Sequence, residues 1–172
     1  VNGDRGAIIN LDETDPKGWG NDKGPKVEPS ETVIYEMHYR DMTAHASAGC
    51  ANPGKYIGMA ERGTRSHEGR LTGIDHLVEM GVTHVHLLPT ADFGSIDESR
   101  NTKEYNWGYE PKNYNTPEGT YATSVTKPET RIREFKELVK ALHDAGICVV
   151  LDVVYNHTTN VQDCGFELTV PG

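Results

Sequence analysis

Two short stretches of this chain combine residue types that could do chemistry. The first, residues 105–111, reads Tyr-Asn-Trp-Gly-Tyr-Glu-Pro and sets Tyr105, Trp107 and Tyr109 around Gly108 with neither helical nor strand periodicity. A loop offers aromatic rings no core to fill, and rings held at a surface are suited to lie flat against the apolar C–H faces of sugar rings or bases. The alternative is a loop whose rings plug a hydrophobic hole beneath it. The second stretch, residues 152–158, reads Asp-Val-Val-Tyr-Asn-His-Thr. Asp152 ends an apolar run and Asn156 and His157 follow, so donors and acceptors stand where a strand leaves its sheet. A hydroxyl-rich ligand needs such groups. Taken singly, Asp152 reads as a buried carboxylate satisfied by backbone amides, and His157 as a surface histidine.

The elements that must position these residues follow from periodicity. Residues 32–39 are β-rich and read as a strand. A unit then occurs twice. Leu71, Ile74, Leu77 and Val78 recur at helical spacing, Gly81 stops the helix, and residues 82–88 form a strand ended by Pro89. Ile132, Phe135, Leu138, Val139 and Leu142 mark a second helix face, Gly146 stops it, and residues 147–153 form the next strand. Glycine just past a helix is the common left-handed cap, and near-continuous apolar strands are typical of parallel sheets covered on both sides. The fold class is therefore α/β with parallel strands. Helix-to-strand turns are short, whereas the strand-to-helix segments 40–69 and 89–129 exceed the ~15 residues beyond which loops are usually functional. In a (β/α)8 barrel, loops at these strand ends build the active site. A doubly wound sheet would place ligands similarly, but no glycine-rich phosphate turn directly follows a strand.

Three strands and two helices cannot close a barrel, which needs eight of each and ~250 residues. Residues 31–172 read as the N-terminal part of one, and the isolated chain is expected to be inactive. In residues 1–30, a short strand at 7–11 is followed by the breaker pairs Asp15-Pro16, Gly24-Pro25 and Glu28-Pro29. This segment reads as the end of a preceding β-sandwich-like module and its linker.

Composition narrows the ligand. With 26 acidic against 17 basic side chains, the formal charge is −9. That argues against nucleic acid, which needs a basic face, and against an anionic membrane surface. No apolar run approaches the ~20 residues that span a bilayer. Cys50, Cys148 and Cys164 are odd in number and lack metal-type spacing. Reduced thiols are the simpler reading, a Cys50–Cys164 bond the alternative, and the balance leans to a cytoplasmic protein. His84 and His86 have the spacing that puts two imidazoles on one strand face, as metal hydrolases of barrel fold do. They precede Leu87 and Leu88 inside the strand, and we read them as satisfied barrel-interior histidines with no metal.

The two stretches resemble known motifs. Residues 152–157 look like the first of the short sequence regions that mark the α-amylase superfamily, and residues 105–111 look like the loop of type I pullulanases, which ends Gly-Tyr-Asp-Pro where this chain has Glu110. Residues 33–41 and 81–89 resemble the first two barrel strands of the same debranching enzymes, and Lys112, Asn113, Tyr114 and residues 117–119 continue the loop as they do. The resemblance implies a glycoside hydrolase that cleaves α-1,6 branch bonds in pullulan, glycogen or limit dextrins with retention. An isoamylase, a branching enzyme or a non-catalytic carbohydrate-binding relative is the alternative.

By resemblance, His157 donates to the sugar whose bond is cut, and Asp152 orients an arginine further along the chain. Tyr109 stacks under the same sugar with its ring face rather than its hydroxyl, while Asn106 and Trp107 shape the pocket wall. Asn156 matches a position that binds calcium in many α-amylases, but the sequence does not place a site there, and no cofactor is required. In the family the nucleophilic Asp, the acid Glu and a further Asp come from the fourth, fifth and seventh strands. No catalytic carboxylate is therefore expected in this chain.

Overall fold

Parallel strands need crossover helices, and the order of elements supplies them. The structure, a computed structural model, describes residues 6–100 and 104–162. Its strands are β1 (Ile34–Met37), β2 (His84–Leu87), β3 (Ala91–Phe93), β4 (Pro111–Pro117) and β5 (Cys148–Leu151). Its α-helices are α1 (Asp41–Ala44), α2 (Tyr56–Met59), α3 (Gly73–Glu79) and α4 (Pro128–Asp144). The main sheet is parallel, in the order β1-β2-β5, with α3 crossing from β1 to β2 and α4 from β2 to β5. The chain is thus α/β, an open segment of a (β/α) barrel.

Register assigns the two faces. Tyr35, Val85 and Val149 lie in one row and Met37, Leu87 and Leu151 two residues on. On this side Val85 and Leu87 are fully buried with Ile74 and Leu77 of α3 and Leu138 and Leu142 of α4. The intervening row, Glu36, His86 and Val150, points to the opposite face. β5 is an edge: Leu151 is 44% exposed where its neighbour Leu87 is fully covered.

α4 begins with Pro128 at its first turn, where the missing N–H costs nothing, and is stopped at Gly146, whose φ of 81° suits a left-handed cap. Its most buried positions are Arg131, Glu134, Leu138 and Leu142. The apolar pattern located the face, but two of its four deepest residues are charged.

Two expectations need correction. The segment between β2 and α4 is not simply a loop: β3 and β4 pair antiparallel within it, Asp92 opposite Asn113 and Phe93 opposite Pro111, with an irregular register. Prolines and asparagines are depleted in strands, and β4 holds two of each, so its sequence hides it. The expected strand at residues 7–11 does not form, since a lone strand has no ladder to join. Instead Leu11–Thr14 is a 3-10 turn lashed to α4. Lys136 Nζ donates to Thr14 Oγ1 at 2.9 Å and to Asp15, Arg133 to the Glu13 carbonyl at 2.6 Å, and His143 Nδ1 lies 2.6 Å from Asp22.

Cys50 and Cys148 are free thiols, while Cys164 lies outside the described residues. No helix among the described residues is long and apolar enough to cross a membrane.

Candidate functional site

The three parallel strands end together, and both chemistry-bearing stretches meet at those ends. Asp152 follows β5, its backbone N–H still bonded to the Leu87 carbonyl at 3.0 Å. Its side chain accepts the Tyr109 hydroxyl on Oδ2 at 2.7 Å, and His86 Nε2 lies 3.7 Å from the same oxygen. The hydrogen bond to Asp152, then partial burial and the negative charges of Asp152 and Glu36, push the Tyr109 phenol up to about 12. Tyr109 is therefore a constant neutral donor to this carboxylate. Its hydroxyl, expected to be idle, anchors the ring, and Tyr109 stays 38% exposed.

His157 closes the contact from the other side. Its Nε2 is 2.6 Å from the Tyr109 carbonyl and donates to it, while Nδ1 lies 3.2 Å from Asn156 Oδ1. Tyr114 donates its hydroxyl to the His157 carbonyl at 2.6 Å, and Thr158 Oγ1 bonds the Pro111 carbonyl at 2.8 Å. The turn after β5 and the aromatic loop are thus stitched together, with Tyr109 at the seam.

Asn106 is a pin inside the loop. Its Oδ1 accepts the Gly108 N–H at 2.6 Å, its Nδ2 donates to Ser95 Oγ at 2.6 Å and to Glu110, and its carbonyl lies 2.8 Å from His38 Nε2. Glu110 also takes the Ser95 hydroxyl, so the carboxylate that departs from the family pattern has two partners within its own loop. Gly108 has φ 89°, and a Cβ there would fall 2.8 Å from the Pro89 carbonyl oxygen. Both its conformation and its close approach to β2's exit require glycine.

Trp107 stands apart at the rim, 62% exposed, with its ring edge-on to Tyr105 at 6.4 Å. Tyr105 in turn packs on His38 at 4.8 Å and donates to Asp41 at 3.1 Å. The structure therefore brings Tyr109, Asp152 and His157 into direct contact. It gives Asn106 a bracing role and leaves Trp107 an open face.

A cavity of about 260 Å³ adjoins this seam, lined by Gly108 and Asp152 together with Pro89, Phe135, Leu151 and Val153. Its lining is mostly apolar, with Asp152, Asn115 and Tyr114 among its polar groups.

Asn156 is exposed, and its Oδ1 is the atom that lies beside His157 Nδ1. The one group of three potential ligand residues among the described residues is Asp92, Glu98 and Glu118, to which Arg131 is already bonded. His84 and His86 belong to no such group: His84 Nδ1 is 2.9 Å from Thr83 Oγ1, and His86 faces Asp152.

Sequence reasoning missed the support behind the loop. His38 joins the Asn106 carbonyl to the Tyr121 hydroxyl, 3.0 Å away. Arg131 and Glu134 hold the approach to α4, the former on Glu98 and the latter on Thr123 N–H at 2.9 Å. Their spacing in phase with Leu138 and Leu142 was the available signal, since charged residues on a helix's apolar face need buried partners.

The alpha amylase catalytic domain family matches residues 33–167. This chain belongs to that family. Over all 172 residues it is 41% identical to the pullulanase of Bacillus subtilis strain 168, spanning 24% of that protein. Over 159 residues it is 36% identical to the chloroplastic isoamylase 3 of rice, covering 88% of this chain and 19% of that one. A solved Paenibacillus barengoltzii pullulanase, in complex with maltohexaose and α-cyclodextrin, superposes with a TM-score of 0.93 at 47% identity, over 96% of this chain and 26% of that one. The chain thus spans about a quarter of each of these two pullulanases.

Proposed function

We propose that this alpha-amylase-family chain forms the opening strands of a debranching glycoside hydrolase that cleaves α-1,6-glucosidic branch bonds in pullulan, glycogen or limit dextrins with retention. The observation that carries this reading is the Tyr109–Asp152–His157 seam at the strand ends, a tyrosine held by its hydroxyl on a carboxylate and by its backbone carbonyl on an imidazole. The likeness to pullulanases along the whole chain supports it, as does the sugar bound to the Paenibacillus protein. Tyr109 offers a ring face to a glucose unit, and Asp152 fixes that ring and carries negative charge at the mouth. His157 holds the loop through Nε2 and transfers that donor to a sugar oxygen when the loop adjusts.

Retention requires a nucleophile and an acid ~5 Å apart across the bond, and both come from later strands. Among enzymes, the match to an isoamylase favours a second reading in which branched glycogen replaces pullulan. The test is product analysis with the full-length enzyme. The proposal expects maltotriose from pullulan, released first as the α-anomer. Release of the β-anomer, transfer without hydrolysis, or binding with no turnover would each reject it, and turnover of glycogen but not pullulan would select the isoamylase reading.

A further inference from the structure

β4 does not run straight along its partner. One step along β3, from Ala91 to Asp92, moves the pairing from Pro117 to Asn113, so Tyr114, Asn115 and Thr116 stand against no residue of β3. Asn115 has φ 58° and is the one residue other than glycine with positive φ among the described residues. A bulge of this kind bends the chain out of its ladder and re-aims a side chain. Asparagine tolerates the left-handed conformation where most residues do not. Both feet of the bulge are pinned. Asn113 Nδ2 donates to Oδ2 of the buried Asp92 at 2.6 Å, and the Glu118 N–H donates to the Thr90 carbonyl at 2.9 Å.

The side chain that this bulge aims is Tyr114. Residues 114–117 line one side of the cavity beside the seam, and residues 151–155 line another. Tyr114 joins the two. Its ring centre lies 5.8 Å from that of Tyr155, and its hydroxyl donates to the His157 carbonyl at 2.6 Å. Thr158 and Thr159 are held separately, on the Pro111 and Glu110 carbonyls at the start of β4. The His157 imidazole is exposed and reaches back to the Tyr109 carbonyl at 2.6 Å. Its place therefore depends on the main chain from which it projects, and Tyr114 holds that main chain.

We propose that Tyr114 is a positioning residue for His157, its hydroxyl aimed at the His157 carbonyl by the strained bulge at Asn115. This role presupposes the proposed donation from His157 to the sugar. A turn bordered by a cavity has room to shift, and a small misplacement of a group that meets the substrate is costly in rate. The tyrosine removes that freedom before substrate arrives.

Tyr114→Phe in the full-length enzyme keeps the ring against Tyr155 and removes the hydroxyl. On the glucan that the enzyme turns over, kcat and kcat/KM should fall together by about threefold to tenfold, the range for one neutral hydrogen bond, with KM unchanged. In a His157→Ala background the same change should cost nothing further, because the group it positions is gone. An equal loss in both backgrounds would mean that Tyr114 only supports the fold, and would overturn the proposal. So would a natural kcat in the single variant. Asn115 gives a second arm. Asn115→Gly keeps the left-handed conformation and should leave kcat unchanged. Asn115→Val, β-branched and ill suited to that conformation, should reproduce the Tyr114→Phe loss. Matching rates for the two Asn115 variants would also overturn the proposal, and should Asn115→Val fail to fold, Tyr114→Phe decides alone.

Should the unaltered enzyme turn over no glucan, the debranching reading fails and the role of Tyr114 is decided by a chemical probe. Carbethoxylation of His157 by diethyl pyrocarbonate, read by mass spectrometry, reports how firmly the imidazole is held. It should be at least about threefold faster in Tyr114→Phe than in the unaltered protein, the factor that loss of a weak hydrogen bond releases. Equal rates would refute the positioning.

Discussion

The Tyr109 hydroxyl donates to Asp152 Oδ2 across 2.7 Å, joining the aromatic loop to the end of the third parallel strand. This one bond makes the ring's position depend on a carboxylate 43 residues away in sequence. It also changes what a conservative substitution should do.

Tyr109→Phe keeps the ring face and removes the anchor. A hydrogen bond to a charged group contributes about 1.5–3 kcal/mol, and this one is partly exposed, so the lower end applies. In the full-length enzyme kcat/KM should fall roughly tenfold, since about 1.4 kcal/mol is a factor of ten. Tyr109→Ala should lose a further ~1–3 kcal/mol with the stacking surface, borrowing the range for bases on aromatic side chains. Steady-state kinetics on pullulan distinguish the two contributions. Equal losses for Phe and Ala would assign the whole effect to the hydroxyl.

His157 and Asp152 should separate by stability. His157 is exposed, so His157→Ala should lower kcat and kcat/KM together with little change in Tm, as expected for a contact made mainly in the transition state. Asp152→Asn should lower both activity and Tm, because the Tyr109 and His86 contacts both converge on its Oδ2. Equal loss of Tm in the two variants would make His157 a structural residue that serves only to hold the Tyr109 carbonyl.

Arg131 should matter far more than a surface cation. Removing one partner of a buried ion pair costs roughly 3–5 kcal/mol, because the other charge is left buried. Arg131→Met should therefore lower Tm sharply. The loss should be smaller in mild acid, where Asp92 and Glu118, raised to about 6 and about 7, take up protons. Thermal unfolding at two pH values checks this, and a pH-independent loss would argue against buried carboxylates as the cause.

The parallel strands were legible because their cores are apolar and their helices are stopped by Gly81 and Gly146, so β2 and β5 fall within the expected segments. Tyr109, Asp152 and His157, singled out from two separate stretches, do meet, though through a hydroxyl and a backbone carbonyl that the sequence did not mark. What was not legible depends on partners distant in sequence. β4 is built from Pro111, Asn113, Asn115 and Pro117, residues that avoid strands, and exists because β3 pairs with it. Residues 7–11 include Ile8 and Ile9, yet they pair with no strand among the described residues. The Asp92–Glu98–Glu118–Arg131 cluster draws on four separate places in the chain, and no local pattern marks it.

The central claim is that these strands hold a sugar-binding wall and none of the catalytic carboxylates. It is tested most directly by reducing-sugar release from pullulan, measured for the isolated 172-residue chain and for the same chain joined to the rest of its barrel. The account predicts no release by the isolated chain above its His157→Ala control. It predicts turnover by the joined form that falls when Tyr109 is replaced with Ala. Release by the isolated chain would contradict it, because the cleaving carboxylates would then have to lie within these residues.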